Sequence, residues 1–268
     1  MRGSAGSPIR SVAFALGFAA LAASTAQAES ALRMAYPEKY GVIPASTYDA
    51  QQQRVGDAHI VIEKLDDDSI RIFSESGITD GARTIATALL APPEGGGSLR
   101  PVLQQSRSFD PQGVPLGVLT VDHRTGTASC SKPNGDGVKL ESLPLPSSDR
   151  VANVPLSLLF LPLVKGETGE LHFQLFLCGS GARFLDFVAR IAPGDGGSSG
   201  QHVIEVAYGP EFGRLVSLVA RHMTPKLSFW FDPAAPHRWM GHRLPLYSKG
   251  PEVFVVRDGV PAAWFADE

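Results

Sequence analysis

SSDRVANVPLSLLFLPLVKGETGELHFQLFLC, residues 147 to 178, decides how the rest of the chain is read. From Val151 to Val164 it offers a nearly continuous apolar surface, and after the glycines at 166 and 169 it changes to a strand-like run that ends in Cys178. An apolar run of about fourteen residues falls short of the roughly twenty that a helix needs to cross a bilayer. The segment therefore belongs to a core or a pocket. Ser147 or Ser148 can cap a helix N-terminus through its hydroxyl, and Asp149 suits the positive end of the helix dipole. Pro155 would kink a helix that starts there, so the sequence predicts a short or broken helix near Asp149 to Leu163, centred on Leu156 to Leu161 and ended by Pro162. Apolar residues occupy every face of it, which implies burial around most of its circumference.

Alternating segments lie on both sides of this helix. On the N-terminal side HIVIEKL (59–65) and IRIFSES (70–76) read as two strands joined at Asp66, Asp67 and Asp68, because β-branched residues alternate with polar ones. The three aspartates lack the alternating ligands and the glycine of a calcium loop, and are read as a solvated turn. RTIATALLA (83–91), for which a short helix is the alternative, VLQQSRSF (102–109), LGVLTVDH (116–123) and TASCS (127–131) continue a meander of five or six strands. Residues 29 to 57 read only as a lead-in, with one short helix near Ala50.

Beyond the helix, LHFQLFLC (171–178) and RFLDFVARIA (183–192) flank a tight turn at Gly179 to Gly181, and HVIEVAY (202–208) follows a glycine-rich loop. Phe212, Leu215, Val216, Val219 and Met223 fall at helical spacing ahead of Pro225, so a second helix is predicted over Glu211 to His222, with a strand as the alternative. KLSFWFD (226–232), HRLPLY (242–247) and EVFVVRD (252–258) read as the last strands. The fold class expected is mainly β, a curved antiparallel sheet resembling a half-barrel that encloses one or two short helices.

The N-terminus carries Arg2 and Arg10, an apolar run from Val12 to Ala23, and then Ala26, Gln27 and Ala28. This is the order of a cleaved secretory signal, so residues 1–28 are set apart, 29–268 are taken as a single β-rich domain, and a periplasmic or secreted location is expected. No stable membrane anchor is expected. Without the signal, the 24 Lys plus Arg fall to 22 against 27 Asp plus Glu, a formal charge of −5 with no basic run, which argues against a nucleic-acid partner. Cys130 and Cys178 are the only cysteines. In an exported chain such a pair is expected as a disulfide closing a loop of about 48 residues around the helix; two buried thiols are the alternative.

Catalytic patterns are scarce in the sequence. Gly179, Ser180 and Gly181 lack the G-x-S-x-G turn of a serine hydrolase. His237 and His242 are five apart, off the spacing that places two imidazoles on one helical face, yet as loop residues near Asp232 they could serve a metal-dependent or hydrolytic enzyme. No catalytic residue, metal ligand or cofactor is assigned. The positive feature is an aromatic excess in the second half. In a closed sandwich these rings would be core; in an open, curved sheet around a helix they would line a cavity suited to lipid. Phe160, Phe176 and Phe187 are the expected lining. Trp230, Trp239 and Tyr247 are expected at the mouth, where amphipathic rings suit an apolar-to-wet boundary.

A strand meander, an apolar helix and a further meander over residues 55 to 258 resembles the half-barrel of the lipoprotein-carrier family (Lol type) and related periplasmic lipid-binding proteins. FWFD at 229–232 and PLYSKGPEV at 245–253 are also similar to the tails of exported bacterial domains of unknown function. The resemblance implies a non-catalytic carrier for a hydrophobic small molecule, a lipid or acyl chain. An exported enzyme built on His237 and His242 is one alternative. An envelope interaction protein that binds a partner through an open sheet edge, and so has a well-packed interior, is the other.

Overall fold

The computed structural model describes residues 32–93, 96–135, 137–146, 150–179, 181–193, 203–211 and 227–265. The predicted leader, the capping residues Ser147, Ser148 and Asp149, and all of the predicted second helix after Glu211 lie outside them.

Fourteen strands form one antiparallel sheet. The first eight, β1 (Gly41–Tyr48), β2 (Arg54–Lys64), β3 (Ile70–Gly77), β4 (Arg83–Ala91), β5 (Arg100–Phe109), β6 (Pro115–Asp122), β7 (Thr127–Asn134) and β8 (Gly137–Pro144), run as a meander from the centre of the sheet to one edge. The helix α1 (Leu156–Val164) then crosses to the other edge. From there β9 (Leu171–Cys178), β10 (Ala182–Ile191), β11 (Ile204–Pro210), β12 (Leu227–Phe231), β13 (Trp239–Pro245) and β14 (Glu252–Arg257) return to the centre, where β14 pairs with β1. The sheet is mainly β architecture in its most extended form, open at β8 and β9, with α1 the single α-helix among the described residues. No described helix is long and apolar enough to cross a membrane.

The open sheet curls until its ends overlap. Cys130 on β7 and Cys178 on β9, near opposite ends of the strand order, lie at disulfide distance with their Cα atoms 5.9 Å apart. Around them Val121, Ala128 and Leu143 from one end pack on Phe176 and Phe184 from the other. Polar links finish the seam: the Lys132 ammonium donates to the Gly179 carbonyl at 2.6 Å, and the Ala182 N–H to the Glu141 carboxylate at 2.6 Å.

Arg150 to Asn153, expected as the first turn of the helix, instead runs alongside the β9 edge. Gln174 donates to the Arg150 carbonyl and accepts from the Ala152 N–H, and the Asn153 amide pairs with both main-chain groups of Phe176 at 2.8 and 3.1 Å. An uncovered edge is a template for unwanted pairing, and this segment occupies it. Pro155 bars its predecessor from helical geometry, so α1 starts only at Leu156. Nor does Pro162 end it, since the helix continues to Val164. Proline removes the N–H that would reach the Leu158 carbonyl; that carbonyl instead accepts the Ala35 N–H at 3.1 Å. Seven of its nine residues are buried, as the apolar circumference requires.

Two expectations for the first half need correction. The lead-in is strand β1, the central strand that joins the two meanders, and Ala50 lies in the turn after it rather than in a helix. The meander has eight strands before the helix, because β8 is a further strand at the edge.

Candidate ligand-binding site

The concave face of the sheet and α1 do not fill the space between them. A cavity of about 1260 Å³ remains. Its size follows from which side chains alternate inward. On β3, β4 and β5 the inward positions hold small residues, among them Ser74, Ser76, Ala86, Ala88 and Ser106, which leave room where larger residues would meet the helix. On β10 to β13 they hold Phe187, Tyr208, Phe229, Phe231 and Trp239, and α1 adds Leu158 and Leu161. One wall is thus lined with small and hydroxyl-bearing groups, and the facing wall is aromatic.

The aromatic wall is held by ring contacts. Phe160 on α1 meets Phe173, Tyr208 and Phe229 at centroid distances of 5.3 to 5.7 Å, which clamps the helix to β9, β11 and β12. His242 stacks on Phe229 at 5.0 Å and lies 5.5 Å from Trp239. Burial pushes the His242 imidazole down to about 4 and raises the Tyr208 phenol, and no charged neighbour contributes to either shift. The wall is neutral at physiological pH. Charged lining residues include Lys39, Lys132, Lys165, Arg183, Lys249 and Arg257, and Glu38 with Arg238, paired at 3.3 Å.

The six predicted ligand residues part company. Phe187, Trp239 and Tyr247 line the cavity, with Tyr247 half-buried and its ring pressed so closely on Gly250 that a Cβ there would come within 2.8 Å of it. Phe176 also borders it, but its ring belongs to the seam beside Cys130 and Phe184. Phe160 is fully buried under the helix and is not among the lining residues. Trp230 points to the convex face, where it packs on Phe254 and, at 4.6 Å, on Phe265 of the short 3₁₀ turn Ala262–Phe265. It is not at a mouth. The difference from Trp239 arises at the bulge in the β12–β13 ladder, which shifts the register between Trp230 and Phe231.

The histidines proposed for an enzyme both border the cavity: His237, in the β12–β13 loop, pairs through Nδ1 with the Asp232 carbonyl at 3.1 Å, and His242 is on β13 in the aromatic wall. Among the described residues no group of three or more His, Cys, Asp or Glu is placed to hold a metal ion.

Sequence reasoning missed Tyr208, Phe229 and His242 as wall residues, and all of β2 to β5. The usable signal was the run of small residues at alternate positions of β4, Ala86 and Ala88, with Ser74 and Ser106 on either side of Ala86. No protein-family model matches the chain, and no match is found among curated proteins or solved structures.

Proposed function

We propose that the chain is an exported, non-catalytic binding protein for a hydrophobic ligand, a lipid or acyl chain, held between the concave sheet and α1. One observation carries this reading: the interior keeps a cavity of about 1260 Å³ with a mostly apolar lining. That exceeds the roughly 300 to 1,000 Å³ of pockets for drug-sized ligands, and suits a long chain better than a compact metabolite. A resident empty space of this size forfeits dispersion contacts in the ligand-free protein; an apolar ligand restores them.

Native mass spectrometry of the protein purified without detergent, followed by organic extraction, tests it. A co-purifying lipid-sized mass is expected. A clean apo mass that does not change when lipids are offered would overturn it.

The partner-binding reading has one observation in its favour. Among the described residues strand β8 is an outer strand of the sheet, and its Val138 and Leu140 are 72% and 68% exposed. Such an edge can add a strand from another protein, although the unfilled interior is not what a purely structural module needs. Substituting Val138→Lys would abolish such pairing and leave ligand binding unchanged.

A further inference from the structure

The charge of the cavity runs against that of the chain. The full sequence has a formal charge of −3, yet among the described residues the lining holds seven lysines and arginines against two acids, Glu38 and Glu75. Neither acid balances the excess. Glu38 is taken up by Arg238. Glu75 sits between Ser74 and Ser76 on β3, so alternation turns its carboxylate to the convex face, 3.9 Å from Arg83.

The polar groups of the small-residue wall are gathered at one end. Ser76, Thr84, Ser108 and Gly117 are cross-strand partners in turn, one row across β3 to β6. Lys132 of β7 continues the row, its Cβ 3.7 Å from where a Cβ on Gly117 would stand. The next row adds Ile60 and Ala86 to Ser74 and Ser106. Two residues further along each strand, Ile62, Ile72 and Ala88 are wholly apolar. The lining thus grades from hydroxyl to hydrocarbon along the strands.

The hydroxyl end is also a cationic mouth. The β3–β4, β7–β8, β9–β10 and β13–β14 turns all lie at this end of the sheet, as the antiparallel order requires. Lys132 reaches across the seam to the Gly179 carbonyl at 2.6 Å, and Arg183, at the start of β10 opposite Leu177, shares the concave face with Phe187. On the other side the Thr84 hydroxyl donates to the Leu246 carbonyl, which fixes the β13–β14 turn and its Lys249 against the same row. Arg183 and Lys249 are exposed, and neither has an ion-pair partner among the described residues. Glu141, whose carboxylate feels Lys132, is already engaged by Lys139 and by the Ala182 N–H. Three strand spacings, about 14 Å, separate Thr84 from Lys132, a gap that long cationic side chains can close on a headgroup.

Cations set around a low-dielectric cleft focus their field and concentrate anions there, and charge-assisted hydrogen bonds to carboxylate or phosphate are the strong ones. A plain hydrocarbon would use only the apolar end of this gradient. We propose that the ligand is an anionic amphiphile, its carboxylate or phosphate headgroup held at the mouth by Lys132, Arg183 and Lys249 and its apolar chain running along β3 and β4 toward Ile62 and Ile72. The inference rests on the reading of the cavity as a binding site, and it narrows the ligand class within it.

The test is displacement of the uncharged fluorophore N-phenyl-1-naphthylamine by dodecanoate, dodecyl phosphate and 1-dodecanol, at neutral pH, low salt and below micelle concentrations. The wild type should bind at least one of the anions about tenfold or more tighter than dodecanol, as charge-assisted hydrogen bonds would give, and the tighter anion identifies the headgroup. The variant R183Q/K249Q should lose most of that preference, and added salt should shrink it in the wild type. Both side chains are exposed, so folding is expected to survive; if the double variant does not fold, R183Q and K249Q singly decide. K39Q serves as comparison, because Lys39 lies just before β1, whose Gly41 pairs with Ile62 at the apolar end; it should alter the preference less. Dodecanol binding as tightly as both anions, a preference that R183Q/K249Q keeps, or one that K39Q reduces more, would overturn the inference while leaving the cavity reading in place. Failure of the fluorophore and of all three chains to bind would instead overturn the cavity reading itself.

Discussion

The side-chain carbonyl of Gln104, in the interior of β5, accepts the backbone N–H of Asn153, 49 residues away. The same oxygen accepts the Val154 N–H at 2.9 Å, and the amide nitrogen faces the Val151 carbonyl at 3.4 Å and His123 at 3.1 Å. Gln104 is fully buried. It stands in for a main-chain partner, anchoring the extended segment that covers the β9 edge and delivers the chain to Pro155 and α1. Replacing Gln104→Leu keeps the volume but strands buried amides, at a cost of about 3 kcal/mol. Urea denaturation should show that loss, and hydrogen exchange should show the Phe176 and Asn153 amides released first.

The Cys130–Cys178 link joins the two overlapping ends of the sheet. It closes a loop of 48 residues that contains α1, and its removal in a double Cys→Ser variant should lower stability by about 4 kcal/mol on the chain-entropy account. Chemical denaturation with and without reductant measures it. The wild type should fall to the level of the variant once reduced, and the variant should not respond.

Phe176 and Phe187 should separate stability from binding. Phe176 is enclosed in the seam, so Phe176→Ala should cost about 3 to 5 kcal/mol, the usual range for a packed phenylalanine. Phe187 already borders empty space. Its truncation enlarges an existing cavity and forfeits fewer contacts, so about 1 to 3 kcal/mol is expected, together with a clear loss of ligand retention. Parallel melting and lipid-retention assays on the two variants check this; equal losses on both scales would mean that Phe187 is ordinary core.

Acid should weaken the fold through His242. The unfolded chain takes up this proton near pH 6.5, but burial delays it in the folded chain until about 4. The neutral ring's contribution is complete above pH 6.5 and is withdrawn as pH falls from 6.5 to about 4, by up to about 3 kcal/mol. Carboxylates held low by their partners, such as Asp122 beside Arg124, also lose stability in acid. The difference between the pH–stability curves of wild type and His242→Phe isolates the histidine: the curves should run parallel above pH 7 and diverge below 6.5, with the variant the more stable.

How far the sequence could be read follows from what each strand buries. Strands with one face on the core show their alternation plainly, and so β2 to β7 and β9 to β14 are legible. Strand β8 buries little, with Gly137 to Leu140 exposed, and carries no alternating signature. Strand β1 contains Pro44, which argues against a central strand. Its pairing with β14 starts only at Ala45, so the missing N–H is not needed there. The helix centre was legible from apolar content, but its start was not, because the edge of β9 competes for residues 150 to 153 through contacts that no local pattern contains. The cavity was legible as aromatic excess. Which rings face it depends on register, and the bulge at Trp230 and Phe231 sends two neighbouring tryptophans, 230 and 239, to opposite faces.

The most direct test of the central claim is to fill the space and measure binding. Ala86 lies on the inner face of β4 and lines the cavity. Titration calorimetry of monolauroylglycerol into the wild type and Ala86→Phe should give one saturable site on the wild type and none on the variant, with the variant at least as stable to heat because its new ring occupies empty volume. Equal binding by both proteins, or a variant destabilised by the about 1 to 3 kcal/mol of an overpacked core, would contradict the account and mean that the concave face closes on itself in solution.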